Sequence, residues 1–86
     1  MADAAELFEQ GVSLQDQGSF EEALVSFDQV IELDPKKGDA WYRKAVCLTE
    51  LERYNEAMEC ASTAIQIDPR DLNALKLKFG LAGKVK

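Results

Sequence analysis

Apolar and small residues recur along this chain with the spacing of a helix face. Leu7, Gly11 and Leu14 fall on one stripe, and Trp41, Ala45 and Leu48 on another, because residues three or four apart share a side of a helix. A stripe of a second kind follows each: Phe20, Ala23, Phe27 and Val30, then Tyr54, Ala57, Ala61 and Ala64. Gly18-Ser19 separates the first two stripes, and Ser19-Phe20-Glu21-Glu22 has the form of a capping box that would start a helix. Pro35 and Pro69 each stop one, since proline disfavours the helical region for the residue before it. The pattern predicts helices near residues 4–17, 20–33, 38–51, 54–67 and 71–82.

The stripes also repeat. A shift of 34 residues pairs Asp34-Pro35 with Asp68-Pro69 and Glu22-Ala23 with Glu56-Ala57. It pairs Phe20 with Tyr54, Leu14 with Leu48, Val12 with Val46, Ile31 with Ile65 and Leu7 with Trp41. A third copy begins at Leu72 and stops after one helix, with Leu75 in register with Trp41. A fixed period of this size signals stacked helical units in place of one irregular globule. The expected organisation is a single domain over residues 1–86, with units at 4–37 and 38–71 and a terminal helix at 72–83.

These residues resemble the tetratricopeptide repeat. In that family the first helix of a unit carries a large apolar residue, then Gly or Ala, then an aromatic or leucine. The second carries Ala, an aromatic and Ala, and proline closes the unit. The first copy matches through Leu7, Gly11, Leu14, Phe20, Ala23, Phe27, Val30 and Pro35. The second matches through Trp41, Ala45, Leu48, Tyr54, Ala57, Ala64 and Pro69. It departs at Ala61, where the family usually has a bulky side chain, and at Glu52, where the turn usually takes glycine. The resemblance implies an all-α, right-handed α-solenoid of antiparallel helix pairs, here five helices, stable only because neighbours stack.

Composition narrows the function. The chain has 86 residues and a formal net charge of −6. Residues 1–35 hold nine acids (Asp3, Glu6, Glu9, Asp16, Glu21, Glu22, Asp28, Glu32 and Asp34) and no base. The remaining seven acids and all ten bases follow, so the two parts carry −9 and +3. Nucleic acid is an unexpected partner for such a surface, because its affinity comes largely from clustered Lys and Arg on phosphates. No apolar run approaches 18 residues and the start of the chain is acidic, so neither a membrane nor an export signal is expected, and the expected location is the cytoplasm. Cys47 and Cys60, with no histidine present, cannot close a four-ligand zinc site and read as small residues on packed helices. Histidine bases, phosphate loops and nucleophile elbows are missing, so no catalytic residue, metal or cofactor is assigned.

Function is then expected in the surface that stacking creates. The resemblance implies that first helices line a concave groove, and by register this places Ala5, Phe8, Val12, Gln15 and Asp16 there from the first helix. Asp39, Tyr42, Val46, Thr49 and Glu50 come from the third, and Asn73, Lys76 and Gly80 from the fifth. Phe8, Val12, Tyr42 and Val46 would be apolar yet exposed, and four such residues converging on one concavity suggest a binding site. Some co-chaperones of the fold it resembles clamp acidic C-termini with five Lys, Asn and Arg side chains, and by register those roles fall here on Phe8, Val12, Arg43, Asn73 and Leu77. Only Arg43 offers a charge, while Asp16, Asp39 and Glu50 would repel an acidic tail. The expected partner is a protein or peptide that is apolar and carries bases, held in an adaptor or scaffold role. A second reading is self-assembly, a homo-oligomer formed through the terminal helix. Leu75 and Phe79, extended by Leu72 and Ala82, occupy the stripe that a next helix would cover, beside the bases Lys76, Lys78, Lys84 and Lys86.

Overall fold

The computed structural model describes residues 2–85; Lys86, counted above with the basic tail, lies outside them. Five helices run through these residues: α1 (Ala4–Asp16), α2 (Phe20–Leu33), α3 (Gly38–Glu50), α4 (Tyr54–Ile67) and α5 (Leu72–Ala82). Each packs on its neighbours in sequence, and α1 with α3 and α3 with α5 also touch. That is the contact pattern of a stack. It extends 40 × 25 × 17 Å.

Local chemistry sets the helix ends. Asp3 accepts the Glu6 N–H at 2.8 Å to cap α1, and Asp71 accepts the Ala74 N–H at 3.1 Å to cap α5. Ser19 stands at the start of α2 but makes no side-chain cap bond, so the capping box expected from Ser19 and Glu22 is not closed. Glu21 and Glu22 still place negative charge on the first turn, where the helix dipole favours it. At the other ends Asp34 (φ −143) and Asp68 (φ −134) leave the helical region, as residues before proline do.

The turn inside each helix pair is built twice by the same hydrogen bonds. The Ser19 N–H donates to the Leu14 carbonyl at 2.8 Å, and the Arg53 N–H to the Leu48 carbonyl at 2.8 Å. Both are the wide closure of a helix end that needs one left-handed residue. Gly18 fills that position with φ 80, and Glu52 fills its equivalent with φ 62. Left-handed backbone costs an L-residue about 1–2 kcal/mol, and part of that is offset because glycine loses more freedom on folding. Glu52→Gly is therefore expected to stabilise the chain by about 0.5–1 kcal/mol, raising the thermal midpoint by a few degrees. A melting curve with an unchanged or lower midpoint would show that the turn carries no strain.

Small residues govern how closely the helices approach. A Cβ built on Gly11 would lie 2.6 Å from the Phe27 ring, which is fully buried. The register equivalents of this pair are Ala45 and Ala61, both also fully buried. The alanine at 61, a departure from the family pattern, is thus matched in register by alanine where the first unit has glycine. Two alanines stand where the first unit pairs a glycine with a phenylalanine. Trp41 belongs to the packing stripe of α3 with Ala45 and Leu48. It is half-buried, packs against the core cluster, and donates its indole N–H to the Pro35 carbonyl at 2.8 Å.

Candidate peptide-binding groove

The first helices of the pairs, α1 and α3, and the terminal helix α5 share one concave side. Two hollows lie along it. The larger, about 620 Å³, takes Phe8 from α1, Asp39, Tyr42 and Arg43 from α3, and Leu72, Asn73 and Lys76 from α5. Asp68, Arg70 and Asp71 close its end from the α4–α5 turn. The smaller, about 540 Å³, is lined by Phe8, Glu9, Val12, Ser13, Asp16, Gln17 and Arg43. Phe8 and Arg43 border both, so the hollows adjoin.

The sequence-derived residues distribute unevenly over this surface. Phe8, Asp39, Tyr42, Arg43, Asn73 and Lys76 line the larger hollow, and Phe8, Val12, Asp16 and Arg43 the smaller. Val46 is half-buried and Glu50 exposed, and neither borders these two hollows. Thr49 and Gly80 line a small third hollow of about 190 Å³ with Lys76, Leu77, Leu81 and Lys84. Phe8, Val12, Tyr42 and Val46 are half-buried rather than bare. Phe8 leans edge-on against Phe27, with ring centroids 5.7 Å apart, and the Lys37 ammonium lies 5.0 Å from its centroid. On the terminal helix Phe79 is exposed, whereas Leu75 is half-buried.

Gln15 corrects the sequence reading. It was placed in the groove, but it is buried. Its amide nitrogen lies 3.4 Å from the Arg43 carbonyl and 3.5 Å from Cys47 Sγ, and its Oε1 accepts from the Arg43 guanidinium at 2.9 Å. A polar side chain withdrawn from water needs such partners. Here they fasten α1 to α3 and hold Arg43 where the two hollows meet. The signal lay 28 residues away along the chain and had no local trace.

Glu9, Arg70, Asp68 and Asp71 are groove residues that register reasoning did not single out. Their charges polarise the face. Glu9 and Asp16 stand beside the single base Arg43 in the smaller hollow. In the larger one Arg43, Arg70 and Lys76 stand against Asp39, Asp68 and Asp71. Two of those acids are engaged locally, Asp68 by the Arg70 N–H at 3.1 Å and Asp71 by its cap bond. The α1 end of the groove is acidic and the α5 end is balanced.

Nucleophilic chemistry has no support at the two thiols. Burial pushes Cys47 up to about 11, against the lowering effect of Gln15 and Arg43, and burial also raises Cys60. Both remain protonated at neutral pH, and the thiolate is the reactive form. Among the described residues no group of three or more His, Cys, Asp or Glu is placed to hold a metal, and no helix is long and apolar enough to cross a membrane.

Comparison with known proteins agrees with this architecture. An uncharacterized protein of Methanocaldococcus jannaschii is 39% identical over 61 residues, covering 71% of each chain. Three other curated relatives are much longer proteins, of which this chain spans between 7% and 12%. Among solved structures, the second tetratricopeptide domain of Spaghetti (RPAP3), bound to the HSP90 peptide SRMEEVD, superposes with a TM-score of 0.91 at 19% identity. That match covers 93% of this chain and 74% of the other, and at such identity it shows the fold alone. YrrB, a tetratricopeptide protein with an unusual peptide-binding site, is 35% identical with a TM-score of 0.86, over 90% of this chain and 40% of its own. The family model of the tetratricopeptide repeat matches residues 14–78. With five helices in a stack and the repeat residues in place, the chain belongs to the tetratricopeptide repeat family.

Proposed function

We propose that this chain is a non-catalytic protein-interaction module that takes a peptide or a partner helix along the concave face of α1, α3 and α5. One observation carries the reading: two adjoining hollows meet at Phe8 and Arg43, where Val12 and Tyr42 add apolar surface among charged side chains. A concavity that joins apolar contact to a few orienting polar groups is the usual form of a binding site. Solved relatives that hold peptides support the reading by analogy of fold. An adaptor or scaffold role follows, within one domain over residues 1–86 built of units 4–37 and 38–71 and a terminal helix at 72–83. Two unpaired, buried thiols suit a reducing compartment such as the cytoplasm.

The ligand chemistry follows from the rim. An apolar side chain belongs on Phe8, Val12 and Tyr42, with a base directed at Glu9 and Asp16. A peptide with an acidic tail has less to meet. Of the five clamp positions, Phe8 and Val12 are apolar, Leu77 packs against the core, and the Arg43 guanidinium is held by Gln15. Arg70 and Lys76 offer charge at the α5 end, but three carboxylates share that hollow. Val46 and Glu50 continue the same α3 face and would meet only a longer ligand.

Calorimetric titration at physiological salt tests this with two short peptides, one apolar with two lysines and one ending in Glu-Glu-Val-Asp. The apolar, basic peptide is expected to bind more tightly. Glu9→Lys with Asp16→Lys, both at exposed positions, is expected to weaken it at least about tenfold, or 1.4 kcal/mol, without moving the thermal midpoint. Tighter binding of the acid-tailed peptide would overturn the assignment.

A further inference from the structure

Helix α5 is apolar on two opposite sides. Ala74, Leu77 and Leu81 face the stack, with Ala74 and Leu81 buried and Leu77 packed on the core. The other side carries Leu72, 68% exposed, Phe79, 76% exposed, the half-buried Leu75 and the exposed Ala82. A helix apolar all round is ordinarily enclosed, so a partner for the outer side is expected. Register shows what kind of partner fits. Phe79 stands where α1 has Gly11 and α3 has Ala45, the residues that let a following helix lie close. A helix laid on α5 as α2 lies on α1 would meet a ring where α1 offers glycine. The outer side of α5 is therefore a projecting knob, not a flat seat.

Charge selects the hole for that knob. Residues 72–86 contain Lys76, Lys78, Lys84 and Lys86 and no acid, whereas residues 1–35 contain no base. Lys84 already lies over the Tyr54 ring, 5.2 Å from its centroid, which leaves Lys76 and Lys78 flanking the stripe. An apolar hollow with unpaired acids at its rim would suit them. On this chain the α1 hollow has that form, lined by Phe8 and Val12 with the acids Glu9 and Asp16, and its one base, Arg43, is held by Gln15 at 2.9 Å. The hollow between α2 and α3, lined by Leu24, Val25 and Leu48, suits them less. Of its three acids, Asp28 and Glu56 are already paired with Lys44 at 2.6 Å and Arg53 at 2.8 Å, which leaves Glu21 beside two bases. An isologous dimer of α5 on α5 would set lysines against their own copies, which opposes it.

We propose that Phe79 and its flanking lysines on one copy dock into the Phe8–Val12 hollow of a second copy, so that the chain associates head to tail. The inference rests on the groove described above and names one occupant for it. Because donor and acceptor are different surfaces, the contact is heterologous and builds either a ring or an open chain of copies. The assembly grows with concentration and loosens as salt screens the charges.

Sedimentation of the whole chain at concentrations up to about 1 mM, where even a contact of millimolar Kd is substantially populated, is the test. The average mass is expected to rise with protein concentration, to fall with salt, and to fall when the apolar, basic peptide is added as a competitor. Phe79→Ser, at an exposed position, and the double variant Glu9→Lys with Asp16→Lys should each be monomeric with unchanged helicity. Mixed in equal amounts they should form a dimer and nothing larger, because one supplies the hollow and the other the knob. A wild-type chain that is monomeric throughout would overturn the proposal, as would self-association of the double variant or association that strengthens with salt. Titrating the peptide into the Phe79→Ser chain separates the two readings. Peptide binding beside a monomeric wild type removes only the assembly, and no binding with no assembly removes the groove as well.

Discussion

Phe27→Ala is expected to lower stability by about 3–5 kcal/mol, a large part of the roughly 4–13 kcal/mol available to a chain of this length. The ring is fully buried, supports Phe8 edge-on from below the groove, and fills the space above Gly11. Its loss leaves a cavity that two helix backbones cannot close. The sharper expectation is a coupling. Gly11→Ala alone places a methyl 2.6 Å from a ring with no room to retreat, an overpacking that costs about 1–3 kcal/mol. Alanine's better helix propensity, worth about 1 kcal/mol, offsets only part of this. In the Phe27→Ala background the clash is gone and the propensity remains, so Gly11→Ala should become neutral or stabilising. The double variant would then carry the alanine pair that residues 45 and 61 carry naturally. Denaturant unfolding of the four proteins should give a coupling of at least about 1 kcal/mol, and strict additivity would show that glycine and ring do not compete for one space.

Features governed by local periodicity were legible in the sequence. The helices begin and end within about one residue of their expected bounds, because the stripes, Gly18 and the two prolines act through neighbours a few positions away. The buried stripe from Ala23 through Phe27 to Val30, and its copy from Ala57 to Ala64, is buried as the spacing indicates. Ser26 is buried too, and its register partner Cys60 was the available hint. Residues whose environment is set across the stack were not legible. Gln15 is polar at a position that reads as groove, and only the approach of Arg43 and Cys47 explains its burial. Arg70 follows a helix-stopping proline and reads as linker, yet the α4–α5 turn brings it to the rim of the larger hollow. Leu75 and Phe79 share one apolar stripe, but their unequal exposure depends on how α5 sits on its neighbours. Ser19 has the right type and spacing for a capping box, and its backbone angles do not bring the hydroxyl to the N–H groups.

Trp41→Ala is expected to cost about 3 kcal/mol, at the lower edge of the range for a large aromatic removed from a core, because the indole is half-buried. Its contribution has two separable parts. The ring lies against the core and borders a crevice with Leu48 and Cys60, and the Lys44 ammonium stands 5.8 Å from its centroid while bridging to Asp28 on α2. Removing roughly 100 Å² of that contact from shelter accounts for about 2.5 kcal/mol at 25 cal/mol per Å². The indole N–H bond to the Pro35 carbonyl adds about 0.5–1.5 kcal/mol net. Pro35 is exposed, so its carbonyl returns to water when the donor is lost and no buried orphan remains. Trp41→Phe keeps most of the apolar contact and loses the donor, and should therefore cost about 1 kcal/mol. The bond also ties the start of α3 to the turn that leaves α2, which sets how α3 lies beside α1. Trp41→Phe is accordingly expected to weaken peptide binding several-fold as the two sides of the groove loosen. Equal stability losses for the alanine and phenylalanine variants would place the whole effect in the hydrogen bond and remove the apolar contact from the account.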